Sequence, residues 1–255
     1  MRFTALASGS NGNSILVETP DARLLFDAGL SGKRLQARAA SRGLTLEGLT
    51  GLLVTHNHSD HVCGAGVIHR RFGTPLFMTR GTWRVSRGRL GSIGDHHEFR
   101  AGETLRFGKT VVSSIPTPHD GVDGVAYVVE SEGRRVGILT DLGHPFAELG
   151  DTLPTLDAAF LESNYDPGML ESGPYPYELQ MRISGPGGHL SNEECVELAA
   201  EAAGERLRTL ILSHLSGENN SPGVARKTAA SLAAAGVEVH LAPRTAASGT
   251  FTLGD

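Results

Sequence analysis

Short apolar runs that end abruptly in polar residues recur along the chain. The first two, MRFTALA and SILVET, predict strands joined by a turn rich in Gly, Ser and Asn over residues 8–14. Further strands are predicted for the runs ARLLF, GLLVT, PLFMT, TLRF, TVVSSI, VAYVVE, RRVGIL, DAAFLE, TLILS and VEVHLA, the last of which is expected to end the fold. Helical spacing follows Ser31, His61, Ser191 and Pro222.

Two stretches have no clear period. Residues 80–100 are loosely patterned and contain Trp83 together with five arginines: Arg80, Arg84, Arg87, Arg89 and Arg100. Such a set suits contact with a polyanion, and it equally suits the solvated face of a short helix. Residues 167–190 are rich in Pro and Gly and predict a loop or lid. His69, on the helix predicted to follow His61, is expected to be exposed.

Candidate metal chemistry is densest in LLVTHNHSDHVC, residues 52–63, where His56, His58, Asp60 and His61 follow an apolar run. Side chains alternate along extended backbone, so His56 and His58 point to the same side. Asp60 and His61 stand where the chain must turn and can approach the same point from another direction. Imidazole nitrogen suits zinc, and a carboxylate oxygen suits zinc or manganese. The alternative is a His-rich surface loop that binds nothing.

Other predicted strands also end in ionisable residues: Asp27, His119, Asp141, Glu162 and His214. An acid at the end of a buried strand is costly unless it has a partner. An alternative role for Asp27 is to cap the helix that begins near Ser31, but Ser31 already fills that position.

Two loops are candidate phosphate sites. Ser10, Asn11 and Asn13 lie in the first turn, whose backbone amides can hold an anion, although the turn can also be only a hairpin connection. Gly188 and His189 stand directly before a helix whose SNEE start, residues 191–194, is a capping box. The N-terminus of a helix favours an anion, and phosphate is the natural ligand there.

Composition sets broader limits. The chain has 255 residues, of which 39% are hydrophobic, so we expect one domain over residues 1–255. A net charge of −5 excludes a globally basic nucleic-acid binder but leaves room for a local basic patch. Cys63 and Cys195 are far apart in sequence and are predicted to be reduced and buried. The chain lacks a long apolar run and a signal-peptide pattern, so a cytoplasmic location without membrane association is expected.

The pattern H-x-H-x-D-H at residues 56–61 resembles the signature of the metallo-β-lactamase fold. SGSNGNS, LESNYD, GGHLSNEE and LSHLSGENNSP are similar to segments of the YycJ (WalJ) group of that fold, which in turn is similar to the nucleases RNase J and tRNase Z. The resemblance covers nearly the whole chain. It implies a mixed α/β fold, the four-layer αββα sandwich, without the β-CASP insertion that RNase J uses to clamp RNA.

The resemblance also implies a site with two divalent ions, either zinc or manganese. The ligands would be His56, His58 and His119 for one ion, Asp60, His61 and His214 for the other, and a shared Asp141. Asp27 would orient the ligand loop, and Glu162 and His189 would flank the scissile phosphate. Two such ions can hold a bridging hydroxide and stabilise the attacking and leaving oxygens of a phosphodiester.

The expected function is therefore a dimetal phosphodiesterase, a nuclease that degrades DNA from 5′ to 3′ with a metal-activated hydroxide. DNA is favoured over RNA as the partner, and the oligomeric state is not predicted. Asp60 would guide the proton of the hydroxide, and His189 would contact the phosphate or protonate the leaving oxygen. Alternatives are an ester or thioester hydrolase of the glyoxalase type and a non-catalytic regulatory protein that keeps its metals for structure.

Overall fold

The computed structural model describes residues 1–204 and 206–254, and this part of the chain contains fourteen strands and nine α-helices. The strands are β1 (Arg2–Ala7), β2 (Ser14–Glu18), β3 (Arg23–Phe26), β4 (Gly51–Leu53), β5 (Leu76–Thr79), β6 (His96–Phe99), β7 (Thr104–Phe107), β8 (Thr110–Pro116), β9 (Val125–Ser131), β10 (Arg134–Leu139), β11 (Ala158–Glu162), β12 (Thr209–Ser213), β13 (Glu238–Leu241) and β14 (Phe251–Thr252). The helices are α1 (Gly32–Ala40), α2 (Ser59–Val62), α3 (Ala65–Phe72), α4 (Arg80–Leu90), α5 (Ala147–Thr152), α6 (Pro167–Ser172), α7 (Tyr177–Ser184), α8 (Asn192–Ala202) and α9 (Pro222–Thr228). Two 3₁₀ segments, Leu153–Thr155 and Ala229–Ala233, extend α5 and α9.

The chain forms two compact units. The first comprises Met1–Pro116, Gly121–Gly133 and Pro243–Asp255, and the second comprises Thr117–Asp120 and Arg134–Ala242. The expected single domain over residues 1–255 stays a prediction.

The first unit contains a seven-stranded sheet in the order β14-β1-β2-β3-β4-β5-β6. Pairing is antiparallel from β14 to β3 and parallel from β3 to β6. The parallel strands β3, β4 and β5 are largely apolar and buried, as in GLL of β4, which is typical of strands covered on both faces. The parallel edge strand β6, HHEF, is exposed except at Phe99. One face of the sheet packs against Leu35 of α1 and Ile68 of α3. The same unit includes the antiparallel meander β7-β8-β9.

The second unit is built on four parallel strands in the order β10-β11-β12-β13. All five residues of β11, AAFLE, are buried, and Glu162 is its last residue. Parallel strands bring their carboxyl ends to one edge of a sheet, where residues from successive strands meet. Asp141, Glu162 and His214 all lie at this edge, at or just beyond the ends of β10, β11 and β12. Strand topology therefore gathers three predicted site residues that are up to 73 positions apart.

Two structural predictions are wrong. Residues 167–190, predicted as a loop or lid, contain α6 and α7, because Pro167 occupies a first-turn position and the Asp166 side chain accepts the Met169 amide as a cap. His69 is buried rather than exposed, since its ring contacts the Thr74 carbonyl and the Gly94 amide.

The sequence prediction also erred at the last strand and at one cysteine. Strand β14 follows β13 and pairs with β1, so VEVHLA does not end the fold. Cys195 is buried as expected, but Cys63 is exposed, and both are free thiols. Within residues 1–204 and 206–254, no helix is both long enough and apolar enough to span a membrane.

Candidate metal centre

The first unit presents a cluster of three imidazoles after β4. His56 is buried and lies between β4 and α2, His58 stands at the N-cap of α2, and His61 lies inside that short helix. The ring centroids of His56 and His58 are 4.5 Å apart, and those of His56 and His61 are 4.2 Å apart. The abrupt change from strand to helix thus gathers rings that are two to five residues apart in sequence.

Asp27 and Thr55 hold two of these rings by their Nδ1 atoms. Asp27 Oδ2 accepts from His61 Nδ1 at 2.7 Å, and the two Asp27 oxygens also accept from the Thr55 amide and hydroxyl. The Thr55 hydroxyl oxygen then accepts from His56 Nδ1 at 3.0 Å. With Nδ1 as the donor in both rings, Nε2 is the nitrogen with a lone pair for a metal.

Burial raises the pKa of the Asp27 carboxyl, and the neighbouring His61 together with the Thr55 hydrogen bonds opposes that rise. Asp27 therefore lies where the sequence predicted an orienting carboxylate, and its contacts suit that role. Thr55 was not singled out from the sequence. Its place directly before H-x-H-x-D-H is the only signal that marks it.

Asp60 and Asn13 complete the histidine cluster. The Asp60 carboxylate is about one-fifth exposed, and its Oδ2 lies 3.5 Å from His61 Nε2. Asn13 is buried, donates its backbone amide to the Asp60 carbonyl at 2.7 Å, and approaches His61 Nε2 with its side-chain amide at 2.9 Å. Asn13 Oδ1 accepts the Gly9 amide. Asn13 is therefore engaged in holding the loop, whereas Ser10 and Asn11 are exposed.

Glu162 is the central residue of the candidate site in the second unit. Its Oε1 accepts from Nδ1 of His189 at 2.8 Å and from Nδ1 of His214 at 2.9 Å. Its Oε2 accepts the backbone amides of Leu142 and Leu190. Burial acts to raise the pKa of Glu162, but the adjacent His189 and the hydrogen bonds from both rings lower it to about 2. A buried, ionised carboxylate thus fixes two imidazoles with Nε2 directed away from it.

His119 and Asp141 stand beside this pair. His119 Nδ1 donates to the Gly188 carbonyl at 2.8 Å, and its Nε2 lies 3.6 Å from Asp141 Oδ1. His214 Nδ1 lies 3.7 Å from the same oxygen. Four side chains of this unit offer ligand atoms that all lie within 4.8 Å of one another: Asp141, Glu162, His189 and His214. Carboxylate and imidazole donors in such a group fit a divalent ion such as zinc or manganese.

The amides before α8 do not form the predicted anion site. Gly188 donates its amide to Gly185 and His189 donates to Ile183, while the Leu190 amide is bound by Glu162. The predicted capping box of Ser191 and Glu194 is present and satisfies the helix start itself. The backbone amides at this helix start are therefore not free, contrary to the prediction, and Gly188 contributes through its carbonyl to the position of His119.

Asn164 is a further residue that the sequence reading passed over. Its side-chain amide donates to the His214 carbonyl at 2.7 Å and lies 3.3 Å from His214 Nδ1. The signal was its place in LESNYD, two residues after Glu162.

The fold and these donor groups define a metal-dependent hydrolase. The chain belongs to the metallo-beta-lactamase superfamily, which residues 7–214 match. Two relatives cover 89% of this chain and are themselves covered over 86% of their length. One is the exodeoxyribonuclease YycJ of Bacillus anthracis, 34% identical over 228 residues. The other is the exodeoxyribonuclease WalJ of Streptococcus pneumoniae, 36% identical over 231 residues.

A solved structure agrees with this assignment. The metallo-beta-lactamase fold protein YhfI from Bacillus subtilis superposes with a TM-score of 0.74, covering 96% of this chain and 98% of its own, at 16% identity. Such low identity shows the fold alone. The predicted fold class and the predicted resemblance are both confirmed.

Proposed function

We propose that this protein is a dimetal phosphodiesterase that removes nucleotides from the 5′ end of DNA. We extend to this chain the exodeoxyribonuclease activity for which the YycJ and WalJ relatives are named. The proposed metal ligands are the seven side chains predicted from the sequence: His56, His58, Asp60, His61, His119, Asp141 and His214.

The observation that carries the proposal is the way the imidazoles are held. Four predicted ligand histidines have Nδ1 in contact with an oxygen of the same unit: His56 with Thr55, His61 with Asp27, His119 with Gly188 and His214 with Glu162. Metal-binding histidines usually donate their second ring nitrogen to a carboxylate, a carbonyl or a similar acceptor. Histidines of a surface loop that binds nothing do not require four such contacts. The arrangement therefore favours metal binding over a His-rich surface loop that binds nothing.

Bound divalent ions would supply a water activated near neutral pH and would neutralise charge on the phosphoryl oxygens. The protein supplies positioned proton carriers. The Asp60 carboxylate, partly exposed beside His61, takes the proton of the attacking water. His189 is held at Nδ1 by Glu162 and is one-fifth exposed, which leaves Nε2 to contact the phosphate or protonate the leaving oxygen.

Glu162 and Asp27 act as positioning residues in this proposal. Each is buried, and each accepts hydrogen bonds from an imidazole and from backbone amides or hydroxyls. Ser10 and Asn11 are exposed on the loop anchored by Asn13, and we propose that they contact the substrate strand. Gly188 acts indirectly, because its carbonyl holds His119.

The test is digestion of a 3′-labelled oligonucleotide by metal-loaded protein, with single-stranded DNA, duplex DNA and RNA compared in zinc and in manganese. Removal of nucleotides from the 5′ end gives a descending ladder of 3′-labelled products, and the same oligonucleotide with a 5′ label releases labelled mononucleotide at once. Asp60→Ala is expected to lower the rate at least 100-fold, because the general base and one ligand are lost together. Asp151→Ala, an exposed carboxylate on α5, is the matched control and retains activity.

Two outcomes contradict the proposal. In the first, the protein has bound metal, as verified by elemental analysis, but cleaves none of these nucleic acids and hydrolyses small esters or thioesters instead. The protein would then be a small-molecule hydrolase. In the second, the 3′-labelled oligonucleotide releases labelled mononucleotide earlier than the 5′-labelled one does. Degradation would then run from 3′ to 5′, opposite to the proposed direction.

A further inference from the structure

A cleft of about 510 Å³ lies beside α4 in the first unit, and neither the fold nor the metal ligands account for it. Three of its lining residues are Arg80, Arg84 and Arg87, spaced i, i+4 and i+7 and therefore on one face of the helix. Over seven residues the helix rises roughly 10 Å, so the three guanidinium groups form a row rather than a point. The sequence alone did not decide whether these arginines contact a polyanion or form the solvated face of a short helix.

The three guanidinium groups are available to a ligand. All three residues are exposed, and none forms an ion pair or a side-chain hydrogen bond with any part of the chain in residues 1–204 and 206–254. The two acidic lining residues have other contacts: Asp123 Oδ2 accepts the Gly81 amide at 3.0 Å, and Glu98 lies 3.7 Å from His96. The three arginines outnumber these two carboxylates, so the cleft keeps a local excess of positive charge that attracts an external anion.

The volume and the walls of the cleft limit which anions it can bind. Its volume is that of a small-molecule site, which suits one or two nucleotides and not the width of a duplex. Trp83 is one wall, but His96 already stacks on its ring at a centroid distance of 4.0 Å, so that face is closed to a base. Recognition here is therefore of the backbone phosphates and is insensitive to sequence.

The cleft is built onto the ligand loop of the same unit. Arg89 of α4 donates to the backbone carbonyl of Asn57, the residue between His56 and His58, at 3.0 Å. Asn57 Oδ1 accepts the amide of Val122 at 2.7 Å, and the Val122 carbonyl accepts the Thr82 hydroxyl of α4 at 2.9 Å. Val122 also lines the cleft. Helix α4 is thus joined by hydrogen bonds to the loop that carries the histidines.

We propose that the α4 cleft binds the phosphate backbone of single-stranded DNA outside the nucleotide being cleaved. This inference rests on the proposed nuclease function and deepens it, because it assigns the substrate strand a second contact surface. Arginine suits this task since its guanidinium donates paired hydrogen bonds to phosphate oxygens. The overall charge of −5 makes such a local positive row the means by which the protein can attract its substrate.

The test is fluorescence anisotropy with a labelled 15-mer of oligo-dT in excess chelator, so that binding is measured without cleavage. The variant is R80Q/R84Q/R87Q, and the matched control is R34Q/R71Q/R226Q, which removes three exposed helix arginines from elsewhere. We expect at least 10-fold weaker binding for the cleft variant and a control within twofold of wild type. The salt slope should also fall by about 2, given roughly 0.7 per phosphate contact on a single strand.

Three outcomes would overturn the inference. The cleft variant binds the 15-mer as wild type does, the control loses as much affinity as the cleft variant, or polyglutamate displaces the 15-mer at lower charge concentration than unlabelled oligo-dT does. Either of the first two results would show that the α4 cleft is not a DNA-binding surface. The third would show that the cleft prefers an acidic polypeptide to single-stranded DNA. R84Q/R87Q, checked for folding by circular dichroism, repeats the test with a smaller change. Because cleavage by metal-loaded wild type is measured separately, failure of the nuclease proposal is distinguishable from failure of the cleft.

Discussion

Three candidate site residues share an uncommon backbone conformation. Asp27, Asp141 and His214 have φ angles of 62°, 58° and 56°, in the left-handed region that side chains other than glycine seldom adopt. Each follows the end of a parallel strand, where the chain turns away from the sheet. Non-glycine residues in this region carry a cost of order 1–3 kcal/mol and cluster at functional sites. The conformation is maintained here by the surrounding hydrogen bonds, among them those of Thr55 to Asp27 and of Asn164 to His214.

Replacing Glu162 by Gln tests whether the ionised carboxylate positions the histidines. Gln keeps the shape but turns one acceptor into a donor, which opposes the Nδ1–H groups or backbone amides that now donate to it. We expect metal affinity to fall roughly 10- to 100-fold, the usual effect of losing such a partner. The measurement is competition for zinc with a chromogenic chelator.

Glu171→Gln, an exposed carboxylate on α6, is the control for that substitution and should leave the zinc affinity unchanged. Circular dichroism on both variants separates a folding defect from a binding defect. An affinity for zinc in Glu162→Gln equal to wild type would show that the carboxylate supports the fold alone.

At the scale of the element, one carboxylate ties together the starts of the parallel strands in the second unit. Asp157 immediately precedes β11, and its Oδ2 accepts the Arg135 amide of β10 and the Arg206 guanidinium, both at 2.7 Å. Its own carbonyl accepts the amides of Arg208 and Thr209, at the start of β12. The candidate site residues lie at the opposite ends of these strands. The hydrogen bonds of Asp157 therefore stabilise the sheet without occupying the edge that carries the site.

Asp157 should make stability depend on pH on the acid side. Burial acts to raise its pKa, but the Arg206 hydrogen bond, the Arg135 amide and the charge of Arg206 outweigh burial and place the pKa below the ordinary 3.8. A lowered folded pKa means that the contribution is present above about pH 4 and is lost as the pH falls through the folded value. The arginine partners are about 40% exposed, so the contribution is about 1–2 kcal/mol.

Urea unfolding of wild type and Asp157→Asn at pH 7, 5 and 3 measures that contribution. The difference in unfolding free energy should be similar at pH 7 and 5 and should shrink at pH 3, where wild type loses part of it. A difference that stays constant down to pH 3 would mean that the carboxylate charge plays no part. Asp151→Asn on α5 is the exposed control and should show no difference at any of the three values.

The elements themselves differed in how well the sequence predicted them. Apolar runs such as ILVE in β2 and AFLE in β11 predict strands correctly because buried strands need continuous apolar residues. Helices α6 and α7 were missed because proline and glycine within a segment usually indicate a loop, whereas Pro167 here starts a helix. Strand β14 is only two residues long and is defined by its pairing with β1, about 250 positions away, which no local pattern reveals.

Across the whole molecule, the spacing of H-x-H-x-D-H identified four candidate ligands, and the resemblance supplied Asp27 as the residue that orients them, whereas Thr55 and Asn164 were identified only from the structure. Thr55 and Asn164 are ordinary polar residues in the sequence, and their role depends on which strand ends face them. Asn13 is buried and contacts His61, and its predicted contact with a phosphate stays a prediction. A linear pattern shows which side chains suit a metal, but it does not show where each hydrogen bond goes.

Metal removal is the prediction that tests the two ligand groups together. A ligand that binds only the folded state adds RT ln(1 + [L]/Kd), about 2.7 kcal/mol at 100 times Kd. For a chain of 255 residues this corresponds to roughly 5–10 °C in the melting temperature. We therefore expect chelator to lower the melting temperature of zinc-loaded protein by about that amount, as measured by calorimetry, and His97→Ala, an exposed histidine, to respond as wild type does.

Single substitutions in each unit then decide whether the ligands act jointly. His56 in the first unit and His214 in the second are both predicted metal ligands. If the two groups serve one centre, His56→Ala and His214→Ala each abolish most of the zinc-dependent shift, because either loss weakens a shared set of ligands. If each unit instead bound its own ion, each variant would keep about half of the shift, and the double variant alone would lose it. Equal retention in both single variants would thus rule out a shared dimetal centre while leaving metal binding itself intact.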